Sequence, residues 1–422
     1  MAQELDQLAI DGGPKAVPQP LERYKGAAVI GDEEREAVLE VLASRSLFRY
    51  YGPNLLGKVA QFERDFAAYL GLPYVLACTS GTAALRLALV ASDVGAGDEV
   101  IVPAATFIAT VNAVVAQGAI PIFAESDAHF SLDPAAVEPL LTDRTKAIIP
   151  VHLYGVAADM DPIVAVARHH GLRVIEDTAQ ACGSFYHGRR LGTIGDVGAF
   201  SFQLEKNITS GEGGAIATAD EELYKRAAAY ADQGGQFPTL YGVERGVDGV
   251  EPVLGENLRL TELAGAILGR QLPKLDDILT RVAHNTAYLR DALGELPVEM
   301  PPLAPGRDEH ALAVVLYPQT VETADAMIAA LRAEGVPAGK VYGGKAVYLN
   351  RQVLEQRQLG RGCPFNCTCT DHRRVTYHPG LCPRAEDLLA RGVVINVGPY
   401  YSDDDLACIA HGVQKVGQRY LP

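Results

Sequence analysis

The chain has 422 residues, of which 48% are hydrophobic, and its 42 glycines and 25 prolines are near ordinary usage. This composition predicts a globular protein and excludes the fibrous and disordered classes. With 37 basic and 52 acidic residues the net charge is −15, which disfavours binding to nucleic acid or to an anionic membrane surface.

Targeting signals are not evident in the sequence. The N-terminus lacks a basic region followed by an apolar core, so we expect no secretory signal. Polar residues and prolines interrupt the longest apolar stretch, 101–124, which therefore does not predict a membrane-spanning helix. We predict a cytoplasmic protein.

The N-terminal region predicts an arm followed by two helices. Residues 1–30 contain several prolines, which oppose regular structure. Asp32 can cap a helix in which Val38, Leu39 and Leu42 recur on one face. A second helix, about 59–69, ends before Gly71, the residue type favoured at helix C-termini.

Alternating strands and helices follow. Seven short apolar segments predict strands at 74–78, 99–102, 119–123, 147–151, 173–177, 197–201 and 214–218. Short, fully apolar strands separated by helical stretches are typical of a mostly parallel sheet buried on both faces. Ligands of such sheets bind at the carboxyl ends of the strands, where Ser80, Asp177 and Ser201 lie.

The composition changes after about residue 275. A long helical pattern, a proline-rich turn and then one strand and further helices predict a smaller α+β domain. We therefore divide the chain into an arm, 1–30, a large domain, 31–275, and a small domain, 276–422.

Lys206 is the most informative residue for function. It follows the apolar strand that ends at Ser201 and precedes a glycine-rich turn ending at Gly214. A lysine held there can form a Schiff base with a carbonyl cofactor such as pyridoxal 5′-phosphate (PLP). The alternative, an exposed loop lysine, is the commoner fate of this residue type.

Asp177 ends the strand Val174-Ile-Glu-Asp177. A buried carboxylate needs a partner, and a protonated pyridine nitrogen would provide a charged hydrogen bond. The alternative is an aspartate that caps the next helix. Together with Lys206, Asp177 supplies the two protein groups that PLP chemistry most needs.

The start of a predicted helix offers a phosphate site. Ser80, Gly81 and Thr82 follow a strand, and the free N–H groups of a helix start bind anions. Ser201 could add a hydroxyl to the same phosphate. Phe107 could stack on a planar ring, although a core position is the usual fate of such an aromatic.

Four cysteines form a cluster in the small domain, Cys363, Cys367, Cys369 and Cys382, with His372 and His378 among them. Cysteine and histidine are the usual ligands of structural zinc. The spacing matches no standard pair of C-x2-C motifs, so reduced thiols in a loop are the favoured interpretation, and we predict no metal site.

Several segments, in order, carry a resemblance to a known family. They are Leu8-Ala-Ile-Asp-Gly-Gly-Pro14, Thr79-Ser-Gly-Thr-Ala-Ala-Leu85, Gly97-Asp-Glu-Val-Ile-Val-Pro103, Thr145-Lys-Ala-Ile-Ile-Pro-Val-His-Leu-Tyr-Gly155, Val174-Ile-Glu-Asp-Thr-Ala-Gln180, Gly192-Thr-Ile-Gly-Asp196, the 200–214 segment and Gly255-Glu-Asn-Leu-Arg-Leu-Thr-Glu262. The sequence thereby resembles the DegT/DnrJ/EryC1/StrS family of PLP-dependent sugar aminotransferases, and the segments cover about two-thirds of the chain.

The resemblance implies the fold and the site. We expect a fold-type-I PLP-dependent transferase of the α/β class, a homodimer with active sites at the subunit interface. Lys206 and Asp177 would be catalytic, Lys206 as Schiff-base lysine and proton carrier and Asp177 as partner of the pyridine nitrogen. The cofactor-binding set implied by the motifs is Ser80, Gly81, Thr82, Phe107, Asp177, Gln180, Ser201, Lys206 and, from the partner subunit, Asn257.

The predicted activity is transfer of an amino group from L-glutamate or L-glutamine to a keto-sugar. The acceptor class is a nucleotide-linked sugar, a keto-cyclitol or a keto-sugar acid, in antibiotic or glycan biosynthesis. A short similarity at 47–52 and 363–365 points to the branch that aminates an eight-carbon keto-sugar acid. The alternative is another PLP reaction on the same scaffold, dehydration or decarboxylation; family dehydratases carry histidine where this chain has Lys206.

Overall fold

The computed structural model describes residues 7–235, 253–360, 362–366 and 375–422. Its strands are β1 (Tyr74–Cys78), β2 (Glu99–Pro103), β3 (Ile120–Ala124), β4 (Thr145–Ile148), β5 (Arg173–Asp177), β6 (Phe185–Tyr186), β7 (Arg189–Arg190), β8 (Val197–Ser201), β9 (Gly214–Thr218), β10 (Ala313–Leu316), β11 (Ala338–Gly339) and β12 (Val393–Asn396). Its α-helices are α1 (Asp32–Ser44), α2 (Lys58–Leu70), α3 (Gly81–Ala91), α4 (Ile108–Ala116), α5 (Met160–His170), α6 (Glu221–Ala231), α7 (Glu262–Gln271), α8 (Leu275–Ala292), α9 (Val321–Ala333), α10 (Arg351–Leu354), α11 (Pro383–Arg391) and α12 (Asp403–Tyr420).

A seven-stranded sheet forms the centre of the fold. Its order is β1-β9-β8-β5-β4-β2-β3, and β9 alone runs antiparallel to its neighbours. Helices cover both faces, which explains why the strands are apolar throughout. The predicted fold class, a mostly parallel sheet between helices, is confirmed. Four of the seven predicted strands have their predicted bounds, β2 and β3 differ by one residue, and β4 spans Thr145–Ile148 rather than 147–151. Strand β4 ends before residue 151 because Pro150 has no N–H with which to continue the ladder.

Helix ends follow the local sequence. The Ser80 hydroxyl accepts a hydrogen bond from the backbone N–H of Ala83 at 3.1 Å and so caps α3. Helix α2 stops at Gly71, whose φ of 71° suits glycine. Within the described ranges, no helix combines the length and apolar character needed to cross a bilayer.

A second, antiparallel sheet of three strands lies toward the C-terminus, in the order β10-β12-β11. It packs with α8, α9 and α12 around a separate core that includes Leu316, Leu331, Ile395 and Val413. Helix α8 begins at Leu275, where the composition changes. The division into domains near that residue stays a prediction.

Candidate active site

A cavity of about 810 Å³ opens at the carboxyl ends of β1, β5 and β8. Its lining includes most of the predicted cofactor-binding residues: Ser80, Gly81, Thr82, Phe107, Asp177, Gln180, Ser201 and Lys206. The remaining predicted residue, Asn257, is exposed and is not among the described residues that line the cavity. The sheet therefore brings together residues that are up to 126 positions apart in sequence, from Ser80 to Lys206.

Lys206 lies in the turn after β8. Its backbone N–H donates to the carbonyl oxygen of Gln203 at 2.9 Å, which fixes the turn. Burial of the ammonium group lowers the pKa of Lys206, whereas the carboxylate of Asp177 acts in the opposite direction. A lysine with a lowered pKa has a larger fraction of neutral amine near pH 7 and is therefore a better nucleophile.

Asp177 ends β5 and is only 5% exposed. The Thr110 hydroxyl donates to its Oδ2 at 2.9 Å, and the N–H of Ala179 donates to its Oδ1 at 3.2 Å. Burial raises the pKa of Asp177 in spite of these two hydrogen bonds. A turn rather than a helix follows, so the alternative of a helix cap is wrong. Within the described chain, no Lys, Arg or His nitrogen lies within 4 Å of this carboxylate.

Directly before Asp177, Glu176 points to the other face of the strand and is fully buried. Its carboxylate accepts three backbone N–H groups of the 192–195 loop at 2.6 to 2.8 Å and a 3.0 Å hydrogen bond from His152 Nε2. The Nδ1 atom of His152 accepts the N–H of Ala158, so the proton of the neutral ring is on Nε2. No local motif in the sequence marks this pair, which anchors the strand that carries Asp177.

The start of α3 approaches β8 closely. A Cβ added to Gly81 would lie 2.6 Å from the Cβ of Ser201, so only glycine fits this contact. Among the described residues, the N–H groups of Gly81 and Thr82 have no acceptor, and they begin a helix. This combination of glycine, free N–H groups and a serine hydroxyl is suited to a phosphate. Ser80 lines the cavity, but its hydroxyl is engaged in the helix cap.

Gln180 is held in place by two tyrosines. Its Nε2 donates to the Tyr342 hydroxyl at 2.8 Å, and its Oε1 accepts the N–H of Tyr154 at 3.3 Å. The ring of Phe107 lies 6.0 Å from that of Tyr342, and Phe107 is 56% exposed. The alternative that Phe107 is a core aromatic is therefore wrong, since it lines the cavity.

Thr110, Tyr342 and Lys25 line or support the cavity but were missed from the sequence. The one available signal for Thr110 is its position one helical turn after Thr106, whose hydroxyl lies 2.7 Å from its own. Tyr342 comes from a distant segment and adopts a left-handed conformation with φ of 47°. No local motif marks either Tyr342 or Lys25.

The cysteine cluster is described only in part. Cys367, Cys369 and His372 lie outside the described residues. Cys382 is buried, and its Sγ lies 3.7 Å from the carbonyl oxygen of Phe123. Burial raises the pKa of Cys382 to about 12, so its thiol stays protonated at neutral pH.

The donor set fits PLP. Asp177 is a buried carboxylate without a cationic partner among the described residues, as a pyridinium N–H requires. Lys206 has a lowered pKa and lines the same cavity. The close contact between Gly81 and Ser201 forms a cradle that a Cβ would fill. Each part of the cofactor thus has a chemically matched group in one cavity.

Comparison with known proteins identifies the class. Residues 28–365 match the DegT/DnrJ/EryC1/StrS aminotransferase family, and the chain belongs to this family of PLP-dependent sugar aminotransferases. The chain is similar to GDP-perosamine synthase of Caulobacter vibrioides, with 42% identity over 265 residues, or 62% of this chain and 68% of the relative. It is 41% identical over 249 residues to L-glutamine:2-deoxy-scyllo-inosose aminotransferase of Streptoalloteichus tenebrarius, which covers 58% of this chain and 59% of that protein.

Solved structures agree with the fold. The crystal structure of DesV from S. venezuelae superposes with a TM-score of 0.79 at 31% identity, covering 95% of this chain and 99% of that one. The predicted family is confirmed, and the protein is a PLP-dependent aminotransferase.

Proposed function

We propose that this enzyme transfers the amino group of L-glutamate or L-glutamine to a ketone on a sugar or cyclitol. The observation that carries the proposal is that Lys206 and Asp177 line one cavity at the carboxyl edge of the sheet. PLP, when bound, supplies an electron sink for the electrons of the bond broken at the substrate carbon.

The assignment of cofactor contacts follows from the chemistry of each group. Lys206 would bind the cofactor carbonyl carbon, and Asp177 would accept a hydrogen bond from the pyridine nitrogen and keep it protonated. Gln180 would contact the ring hydroxyl, and Phe107, which is exposed and lines the cavity, would stack on the ring.

The phosphate is assigned to the start of α3. The N–H groups of Gly81 and Thr82 and the hydroxyl of Ser201 would donate to it, and the helix dipole would add favourable charge. The Ser80 hydroxyl contributes indirectly, since it caps the helix whose N–H groups bind the phosphate.

Lys206 also moves the proton. With PLP bound, the amine of Lys206 would act as the acid–base group that takes up the proton of the substrate carbon and returns it during transfer. The lowered pKa of Lys206 raises the fraction of neutral amine, which is the form that acts as a general base.

For the acceptor we propose a nucleotide-linked sugar, a keto-cyclitol or a keto-sugar acid. The names of the relatives, GDP-perosamine synthase and L-glutamine:2-deoxy-scyllo-inosose aminotransferase, support the first two classes and L-glutamine as donor. The cavity of about 810 Å³ provides room for a sugar beside the cofactor. Antibiotic or surface-glycan biosynthesis is the setting we propose.

We further propose a homodimer in which Asn257 of one subunit reaches the phosphate of the other. Asn257 is exposed in the single chain, and α1 presents Leu39 and Leu42 to solvent at 55% and 48% exposure. A second copy would bury these side chains. Mixing Lys206→Ala chains with Asn257→Ala chains should restore activity in hybrid dimers, because one of the two sites then receives both native residues. Lack of restoration in confirmed hybrid dimers would contradict shared sites.

The proposed half-reaction is tested by visible absorption of the PLP-loaded protein before and after addition of L-glutamate and of L-glutamine. Wild type should lose the band of lysine-bound PLP and gain that of pyridoxamine phosphate with one of the two donors. Lys206→Ala should show neither band change. If wild type binds PLP but neither donor converts it, transamination from these donors is wrong, and analysis of products from keto-sugar substrates would test dehydration or decarboxylation.

A further inference from the structure

Lys25 lies beside Lys206 because the N-terminal arm crosses the edge of the cavity. A Cβ added to the next residue, Gly26, would lie 2.8 Å from the Cα of Ile208 and 2.9 Å from the carbonyl oxygen of Asn207. Glycine therefore lets the arm backbone pack directly against the segment that follows Lys206. This contact holds Lys25 in the lining of the cavity.

The ammonium group of Lys25 has unused hydrogen-bonding capacity. It donates to the carbonyl oxygen of Glu205 at 3.0 Å, and a lysine ammonium has three N–H donors. Across the described parts of the chain, no carboxylate oxygen lies within 4 Å of it. Two N–H donors of the ammonium group therefore remain available to a ligand in the cavity.

The other cations of the described cavity lining are already assigned. Lys206 binds the cofactor. Arg23 is 64% exposed and forms an ion pair with the Glu205 carboxylate at 3.2 Å. Lys25 is the cation that remains for a substrate anion among these described residues.

The electrostatics of Lys25 agree with an anion site. Burial, with a further contribution from the charge of Lys206, lowers the pKa of Lys25 to about 8. The group is still mostly protonated at pH 7, and a partly buried cation without a countercharge attracts an anion that offsets the cost of desolvation.

We propose that Lys25 binds the α-carboxylate of the amino donor, an assignment that rests on the proposed transamination. The α-carboxylate is bonded to the carbon that reacts at Lys206, so it must lie within a few ångströms of that side chain. Lys25 is placed for this role, since it lines the same cavity as Lys206 and donates to the backbone carbonyl oxygen of Glu205, the residue immediately before Lys206. The phosphates of a nucleotide-linked acceptor lie several bonds from the reacting carbon and would extend farther away.

The test compares donors that differ only in this carboxylate. The PLP-loaded wild type and Lys25→Met are reacted with the donor that converts wild type, L-glutamate or L-glutamine, and with its counterpart without the α-carboxylate, 4-aminobutanoate or 4-aminobutanamide. Loss of a charged hydrogen bond should lower kcat/KM for the amino acid roughly tenfold to a hundredfold. The rate with the counterpart should stay within about twofold, because that amine makes no contact with Lys25.

A binding measurement separates recognition from chemistry. Titration of the loaded protein with glutarate, an unreactive dicarboxylate, should give a Kd roughly tenfold higher in Lys25→Met than in wild type. Lys25→Arg keeps the charge and should recover most of the donor preference. Lys15→Met, which removes an exposed lysine of the same arm, should match wild type in every assay.

The outcomes distinguish this inference from the proposed function. Equal losses with both donor types would show that Lys25 only positions the arm and would overturn the inference, as would unchanged kinetics in Lys25→Met. Either result leaves wild-type transamination intact. Failure of the proposed function has a different signature, since the wild type itself would not convert either amino acid.

Discussion

The side-chain amide of Gln180 donates a 2.8 Å hydrogen bond to the hydroxyl of Tyr342, 162 residues away in sequence. Gln180 follows β5 of the large sheet, and Tyr342 follows β11 of the small sheet. Burial raises the pKa of Tyr342 well above its ordinary value, so its hydroxyl stays protonated and orients the amide. Two distant parts of the chain are thus joined at the cavity.

Removing this hydroxyl should weaken cofactor binding. In Tyr342→Phe the amide of Gln180 loses its acceptor and is free to rotate away from the proposed ring contact. A hydrogen bond of this kind contributes about 0.5–1.5 kcal/mol, so we expect the Kd for PLP to rise roughly three- to tenfold. Fluorescence or absorbance titration with PLP measures the change. Tyr288→Phe, at an exposed tyrosine of α8, is the control, and equal Kd values in the two variants would contradict the role of Gln180.

The close approach of Gly81 to Ser201 predicts a steric effect on the phosphate site. In Gly81→Ala the new Cβ would lie 2.6 Å from the Cβ of Ser201, so either α3 or β8 must shift. Displacement of the N–H groups from the phosphate should raise the Kd for PLP by about tenfold or more. Gly95→Ala is a matched control, because a Cβ at Gly95 meets nothing within 4 Å. Unchanged PLP affinity in Gly81→Ala would rule out the phosphate assignment.

Asp177→Asn should separate activity from stability. Loss of the charge opposite the pyridine nitrogen should lower the rate of the half-reaction roughly a hundredfold to a thousandfold. Asparagine keeps the shape, and the Thr110 hydroxyl can rotate to accept from its amide. Stopped-flow absorbance with the amino donor measures the rate. A rate within threefold of wild type would contradict the assignment.

The same variant should not destabilise the cofactor-free protein. Burial raises the pKa of Asp177 in the folded state. Protonation of this carboxyl therefore stabilises the fold. That contribution to the free energy of unfolding is complete below the unfolded pKa of about 3.9 and is lost as the pH rises through the folded pKa. At pH 7 the buried charge is therefore a cost, and Asp177→Asn removes it. Urea unfolding of Asp177→Asn at pH 7 should give a free energy of unfolding equal to or greater than that of wild type. A marked decrease would contradict this, because it would show that the hydrogen bonds to the ionised carboxylate outweigh the cost of burying its charge.

The sequence predicts the sheet and the centre of the site for a physical reason. Fully apolar strands alternate with helices, and their carboxyl ends must meet at one edge, which brings Asp177 and Ser201 together with the lysine that follows. The positions of Asp177 and Lys206 in one cavity confirm this geometry. Their chemical roles remain predictions until the variants are measured.

Contacts between distant segments were not predictable in this way. Tyr342 reaches Gln180 through tertiary packing that no local pattern encodes. In α1 the helix was predicted, but its buried face is formed by Ala37 and Val41, whereas Leu39 and Leu42 face solvent. Helical periodicity locates an apolar stripe without saying whether the same chain or another copy covers it.

The buried pair of Glu176 and His152 leads to the last prediction, which concerns stability. Glu176 accepts three backbone N–H groups of the 192–195 loop as well as His152 Nε2. In Glu176→Gln one acceptor oxygen becomes an NH2 group that faces these donors, which should lower the free energy of unfolding by about 2–4 kcal/mol. Urea unfolding at pH 7 measures the loss, with Glu36→Gln on the exposed face of α1 as control.

The acid dependence of this loss checks its cause. Burial by itself would raise the pKa of Glu176, but the hydrogen bonds from His152 and from the loop outweigh it and lower the pKa in the folded state. The carboxylate therefore stabilises the fold above the unfolded pKa of about 4.3, and this contribution is lost as the pH falls through the folded pKa. The difference in unfolding free energy between wild type and Glu176→Gln should shrink below about pH 4. If the difference stays constant down to pH 3, the lost stability comes from altered packing, because packing does not depend on the protonation of Glu176.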